Sequence, residues 1–190
     1  MTLEFNPNQA HIDLARTAII AARTVVKSRI SIPLAAMHSA QEEIDRNLAR
    51  FNVIDCGRRF GKSLYCLQRK SAETLMRGLP VGWFAPTYKD LAPIWRDAKT
   101  MLRDVTPKSG VSEQEKRIEL SNGAALEFWS LENPDSGRGR KYGRAIIDEA
   151  AKVAKLEHAW NETIRPTLTD YRGDAFFPST PKGRNYFWKL

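Results

Sequence analysis

The chain carries two cysteines, Cys56 and Cys66, in 190 residues. Two thiols build neither a disulfide framework nor a cysteine-based zinc site, and they suit a reducing compartment. Long apolar runs are missing as well. No stretch approaches the ~18 consecutive apolar residues that a membrane-spanning helix requires, so no membrane partner is expected. Residues 1–30 include Asp13 and lack a compact apolar segment with a cleavage site, which argues against a secretory leader. A cytoplasmic setting fits these shortages. Internal repeats and linker-like shifts of composition are absent too. One domain is therefore expected over 1–190, with a helical extension at 1–35 ahead of a core at 36–190.

Acidic residues are outnumbered, 22 against 30 lysines and arginines, for a net charge of +8 and a pI near 9.7. That balance favours a polyanionic partner such as DNA or RNA. Charge alone describes an ordinary basic protein equally well, and several arginines have a competing use around nucleotide phosphates.

The organising stretch is Phe51 to Ser63. Val53-Ile54 reads as a buried strand, Cys56-Gly57-Arg58-Arg59-Phe60-Gly61 as a basic glycine-bearing turn, and Lys62-Ser63 opens a helical pattern running from Leu64 to Met76. Strand, loop and helix in that order make a phosphate-binding loop. Its backbone N–H groups and the helix N-terminus face phosphate oxygens. Lys62 is expected at the β- and γ-oxygens, and the Ser63 hydroxyl on Mg²⁺. The usual first glycine of the signature is Cys56 here, and Gly57 is expected to supply the tight turn instead. Gly-Lys-Ser alone occurs by chance in many chains; the strand before it and the helix after it are what give it weight.

Around this stretch the apolar spacing marks an amphipathic helix over 8–29, a second over 37–49 and a third from an N-capping Thr87 to about Asp104. Val81–Pro86 reads as a strand, and residues 106–116 as a polar loop. Arg117–Leu120 and Ala125–Trp129 alternate about Ser121-Asn122-Gly123 as a hairpin. A Gly/Arg-rich loop covers 133–143, a helix 156–168 and a strand 175–177. Gln41, on the second helix, has an amide with both hydrogen-bonding senses that adenine presents, and P-loop motors often place a glutamine ahead of the loop. A lone glutamine on a helix is otherwise simply solvated.

Ala145-Ile146-Ile147 runs into Asp148-Glu149. Two carboxylates at a strand end beside a P-loop divide the work of hydrolysis. Asp148 is expected to hold Mg²⁺, and Glu149 to polarise the attacking water. Positive charge for the transition state is available from Arg58 or Arg59 in cis, and from Arg138 acting on a neighbouring subunit. Arg140 shares that loop, and for each of these arginines solvation or contact with DNA phosphates is the plain alternative. Ser179-Thr180 ends the 175–177 strand, where a hydroxyl pair can feel the γ-phosphate; standing alone it would be an ordinary Ser/Thr-Pro turn.

Taken in order, Cys56–Ser63, Phe84-Ala85-Pro86-Thr87, the Ser121-Asn122-Gly123 hairpin, Ile147-Asp148-Glu149-Ala150-Ala151 and Ser179–Asn185 resemble the large terminase subunits, which pump DNA into tailed-bacteriophage heads. The resemblance runs from about Met37 to Leu190. It implies an α/β P-loop NTPase fold of the additional-strand (ASCE) type, with a mainly parallel central sheet flanked by helices. It implies ATP as substrate with Mg²⁺, and translocation of double-stranded DNA into a procapsid. The partners it implies are the portal protein, the small terminase subunit and further copies in a ring, all within a bacterial host cell. It assigns Gln41 to adenine, a P-loop arginine to γ-phosphate sensing, Glu149 to catalysis and Thr180 to coupling. Complete members usually add a ribonuclease-H-like nuclease domain, so this chain reads as the ATPase part and no nuclease cluster is expected in it. The competing readings are a helicase-like nucleic-acid translocase, which needs a second motor domain, and a scaffold that binds nucleotide without turnover.

Overall fold

The computed structural model describes residues 29–190. The helix expected over 8–29 therefore lies outside the described residues, apart from its last position. Residues 29–38 run without regular structure into α1 (Ser39–Arg46), shorter than the 37–49 expected. β1 (Phe51–Asp55) leads through the loop into α2, which is helical over Lys62–Tyr65, π-helical over Cys66–Ser71 and α-helical again over Ala72–Met76. β2 (Val81–Ala85) is followed by α3 (Tyr88–Met101), whose Thr87 cap accepts from Asp90 N at 3.2 Å. β3 (Val111–Ser112), β4 (Arg117–Glu119), β5 (Ala125–Ser130) and β6 (Arg144–Ile147) come next. α4 comprises Leu156–His158, a π-helical stretch Ala159–Ile164 and Arg165–Thr167. β7 (Asp174–Ser179) and a short α5 (Tyr186–Lys189) complete the described residues.

The seven strands form one sheet in the order β1-β7-β6-β2-β5-β4-β3. From β1 to β5 the pairings are parallel, and β4 and β3 continue as an antiparallel meander. β7, late in sequence, lies between the strand entering the loop and the strand ending at Asp148. That inserted strand is the mark of the additional-strand class. The expectation of a bare loop at 106–116 is corrected, because Val111 and Ser112 pair with Ile118 and Arg117. Two residues carry no legible alternation, and the hairpin next door recruits them.

The parallel strands are apolar without a break because both sheet faces are covered. Successive side chains point to opposite faces. Trp83, Ile146 and Phe176 pack on one side with Leu67, Leu75 and Trp95, whereas Phe84, Ile147 and Phe177 pack on the other with Trp160 and Leu168. Each such side chain, fully buried, contributes about 1.5–3 kcal/mol.

An ionic cluster centred on the buried Lys70 and Arg144 ties the layers together. Arg144 grips Asp174 with two hydrogen bonds of 2.6 Å and also donates to the carbonyl of Lys70. Lys70 reaches Asp45 at 2.5 Å and Glu73 at 2.8 Å, and the Tyr65 hydroxyl donates to Asp45 at 2.8 Å. Asp45 belongs to α1, so this cluster fixes the helix bearing Gln41 against α2. No helix among the described residues is long and apolar enough to cross a membrane.

Candidate nucleotide site

The carboxyl ends of the parallel strands converge on one cleft of about 540 Å³, lined by Arg58, Lys62, Ser63, Glu149, Lys152 and Thr180 among others. Ligands of open α/β sheets sit at this edge because the loops leaving the strands meet there. Cys56 N donates to Ser179 O at 3.2 Å, which sets the loop against the end of β7. The tight turn does not come from Gly57, whose φ is not positive. Arg59 at φ 64° and Gly61 at φ 82° make it, so the chain turns two residues later than expected. Burial raises the Cys56 thiol against the pull of Lys62, leaving a neutral group where the signature has glycine.

Lys62 is buried, and its Nζ donates to Cys56 O at 2.9 Å, Gly57 O at 2.8 Å and Thr180 Oγ1 at 3.2 Å. Ser63 Oγ donates to Asp148 Oδ1 at 3.0 Å. Glu149 N donates to the same oxygen at 3.0 Å, and Asp148 N is anchored on Phe84 O at 2.8 Å. Burial pushes the Asp148 carboxyl up to about 6, the hydrogen bond from Ser63 opposing this and the Glu149 charge adding to it. A buried carboxylate beside a hydroxyl is a hard-oxygen pair short of positive charge. It fits Mg²⁺, which takes few protein ligands and completes its shell with water and phosphate.

Glu149 adopts a left-handed conformation, φ 50°, that a non-glycine residue seldom takes. The twist turns its carboxylate from the strand into the cleft, where Oε2 meets Lys152 Nζ at 3.2 Å. The next turn is pinned to β7: Ala151 N donates to Ser179 Oγ at 3.0 Å, and Asn185 Nδ2 donates to Ala151 O at 2.7 Å.

Gln41 borders a side cavity of about 290 Å³ together with His38, Phe60, Leu64 and Tyr65. Its amide accepts from His38 N and donates to Phe60 O, both at 3.4 Å, the long end of hydrogen-bond range. His38 also meets the Phe60 ring edge-on at 4.9 Å. Arg58 and Arg59 line the main cleft. Arg138 does not; it is exposed and pairs with Asp135 at 2.8 Å, while Arg140 lies over the Trp129 ring at 5.4 Å. Lys152, Lys182, His38 and Asn185 are contributors that sequence reasoning passed over. For Lys152 a signal existed, since it stands one helical turn after Glu149.

A family model described as "Terminase large subunit, T4likevirus-type, N-terminal" matches residues 53–189. The large terminase subunit of Thermus phage G20c is 32% identical over 173 residues, covering 80% of this chain and 35% of that protein. That of Escherichia phage T5 is 34% identical over 144 residues, covering 73% and 32%. The chain belongs to the terminase large subunit family. It spans about a third of the length of these terminase relatives, on the side that the family model calls N-terminal. Among solved structures it is similar to the ATPase domain of the Thermus phage P74-26 large terminase, with TM-score 0.70, 27% identity, and coverage of 81% of this chain and 68% of that one. The large terminase of bacteriophage HK97, at 14% identity and TM-score 0.62 over 80% of this chain and 34% of that one, shares the fold.

Proposed function

We propose that residues 36–190 form the ATP-hydrolysing motor of a DNA-packaging terminase, driving double-stranded DNA into a procapsid. The observation that carries this reading is the 3.0 Å hydrogen bond between Ser63 and Asp148, which brings the loop helix and the carboxylate strand to one point from 85 residues apart. The loop N–H groups and the Lys62 ammonium bind the β- and γ-oxygens. Ser63 and Asp148 would hold Mg²⁺, which would supply neutralising charge on the phosphates. Glu149 orients and polarises the attacking water, and Arg58 or Arg59 stabilises charge on the transferring group. Gln41 and Phe60 face the base, with Gln41 exchanging its long internal bonds for adenine. Arg138, exposed outside the cleft, serves the site of a neighbouring subunit. Ser179 and Thr180 couple the nucleotide state to β7. The remaining partners in this reading are the portal protein, the small subunit and further copies in a ring, in the host cytoplasm.

The test is steady-state ATPase activity and nucleotide binding of wild type and Glu149→Ala. Binding retained by both, with turnover lost in the variant, supports the motor reading. Absence of binding in wild type overturns it.

A further inference from the structure

The cleft holds more positive charge than the roles above employ, and one of the additional cations is already engaged. Lys152 Nζ lies 3.2 Å from Glu149 Oε2, the oxygen of the group that would activate water. The backbone carrying Lys152 is held fast. Lys152 N donates to Glu149 O at 2.8 Å, and Ala151 is gripped on both sides by Ser179 Oγ and Asn185 Nδ2. The turn cannot shift unless β7 shifts with it, so the freedom at this place belongs to two side chains, 46% exposed for Lys152 and 30% for Glu149.

An ion pair this exposed is worth about 0–1 kcal/mol, so it exchanges readily for a better partner. A terminal phosphate is that partner. It carries more charge than a carboxylate and offers several acceptor oxygens to an ammonium, which binds it as a point charge. Lys152 lines the same cleft as Lys62 and Ser63. On the nucleotide reading above, the β-phosphate lies on the loop and the γ-phosphate points toward Glu149.

We propose that Lys152 is a γ-phosphate-binding residue that also sets the position of Glu149. With the cleft empty or holding a diphosphate, its ammonium keeps the Glu149 carboxylate aside. With a triphosphate bound, the ammonium moves to the γ-oxygens, and Glu149 is released to take a hydrogen bond from water. The base is thereby free only when there is a phosphate to attack. The inference rests on the nucleotide reading above and adds to it a determinant of triphosphate over diphosphate binding.

The experiment is calorimetric binding of Mg²⁺-ATPγS and Mg²⁺-ADP to wild type, Lys152→Gln, Lys152→Arg and Lys155→Gln. Lys155 is exposed and does not line this cleft, so its variant controls for loss of one positive charge. Loss of a charge-assisted hydrogen bond predicts that Lys152→Gln binds ATPγS about 10-fold more weakly, with ADP within about two-fold of wild type. Lys152→Arg keeps most of the preference, and Lys155→Gln keeps all of it. Equal weakening of both nucleotides in Lys152→Gln, or no weakening, overturns the proposal while leaving the nucleotide site intact. Failure of wild type to bind either nucleotide overturns both.

Discussion

Lys62 and Thr180 are joined side chain to side chain, Nζ to Oγ1 at 3.2 Å, across 118 residues of sequence. An ammonium has three N–H donors, and here all three are engaged, by Thr180 and by the carbonyls of Cys56 and Gly57. A phosphate oxygen reaching Lys62 must displace one of them. The carbonyls belong to the backbone, whereas the Thr180 hydroxyl turns about one bond, so Thr180 is the partner expected to yield. On the proposed nucleotide reading, this exchange is how phosphate in the cleft would be felt at the end of β7.

Thr180→Val keeps the shape of the side chain and removes the acceptor. Lys62 then gives up less on binding, and ATP is expected to bind up to about 10-fold more tightly, the equivalent of a charge-assisted hydrogen bond of roughly 1.4 kcal/mol no longer broken. Affinity measured by calorimetry decides it. Unchanged or weaker binding would show that Lys62 keeps Thr180 when phosphate arrives.

Asp148→Asn probes the hard-oxygen pair. The amide oxygen still accepts from Ser63 and from Glu149 N, so the turn persists, and removing a buried charge relieves desolvation. The thermal midpoint should hold or rise. The gain in ATP affinity on adding Mg²⁺ should shrink by about 10-fold, since a carboxylate is the ligand this cation prefers. An undiminished Mg²⁺ effect would remove Asp148 from the cation's surroundings.

Much of this arrangement was legible in the sequence, and what escaped has physical causes. Val81–Ala85 and Ala145–Ile147 announced themselves because strands covered on both faces are apolar throughout. The place of β7 between β1 and β6 entered with the family resemblance, since nothing in the local pattern of Ala175-Phe176-Phe177 names its neighbours. Val111-Ser112 was too short to show a period. The π-helical segments at Cys66–Ser71 and Ala159–Ile164 depend on hydrogen-bond register within an unbroken apolar face, which composition does not encode. At the site, residue types singled out Lys62, Ser63, Asp148 and Glu149, which the fold brings together, but the left-handed twists at Arg59 and Glu149 were hidden. Neither is a residue type that advertises positive φ.

Gly57 and Gly61 should therefore answer differently to alanine. A Cβ on Gly57 meets nothing within 4 Å and its φ is not positive, so Gly57→Ala should fold with unchanged stability. Gly61 sits at φ 82°, and a Cβ there comes within 3.1 Å of Gln41 Nε2. Gly61→Ala should cost about 1–2 kcal/mol from the left-handed backbone alone and should disturb Gln41. Urea denaturation of the two variants measures the contrast, and equal losses would contradict the turn geometry.

The last prediction concerns alkali. Tyr65 and Tyr142 are both buried, and burial raises their hydroxyls far above the usual tyrosine range, reinforced by Asp45 beside Tyr65 and Glu127 beside Tyr142. Tyr65 donates to Asp45 at 2.8 Å and Tyr142 to Glu127 at 2.6 Å, bonds that exist only while each hydroxyl keeps its proton. A group whose pKa is raised by folding contributes its stability in full below the unfolded value. For tyrosine that value is about 10, and above it each group should withdraw about 1.4 kcal/mol per pH unit until the folded pKa is reached. Stability should thus fall as pH rises beyond about 10, and phenolate absorbance from these two residues should emerge only together with the loss of circular dichroism. Tyr65→Phe should flatten the pH dependence by one group's share, because Asp45 retains Lys70 as a partner. A smooth titration of all five tyrosines with the fold intact would mean that these hydroxyls are not buried as described.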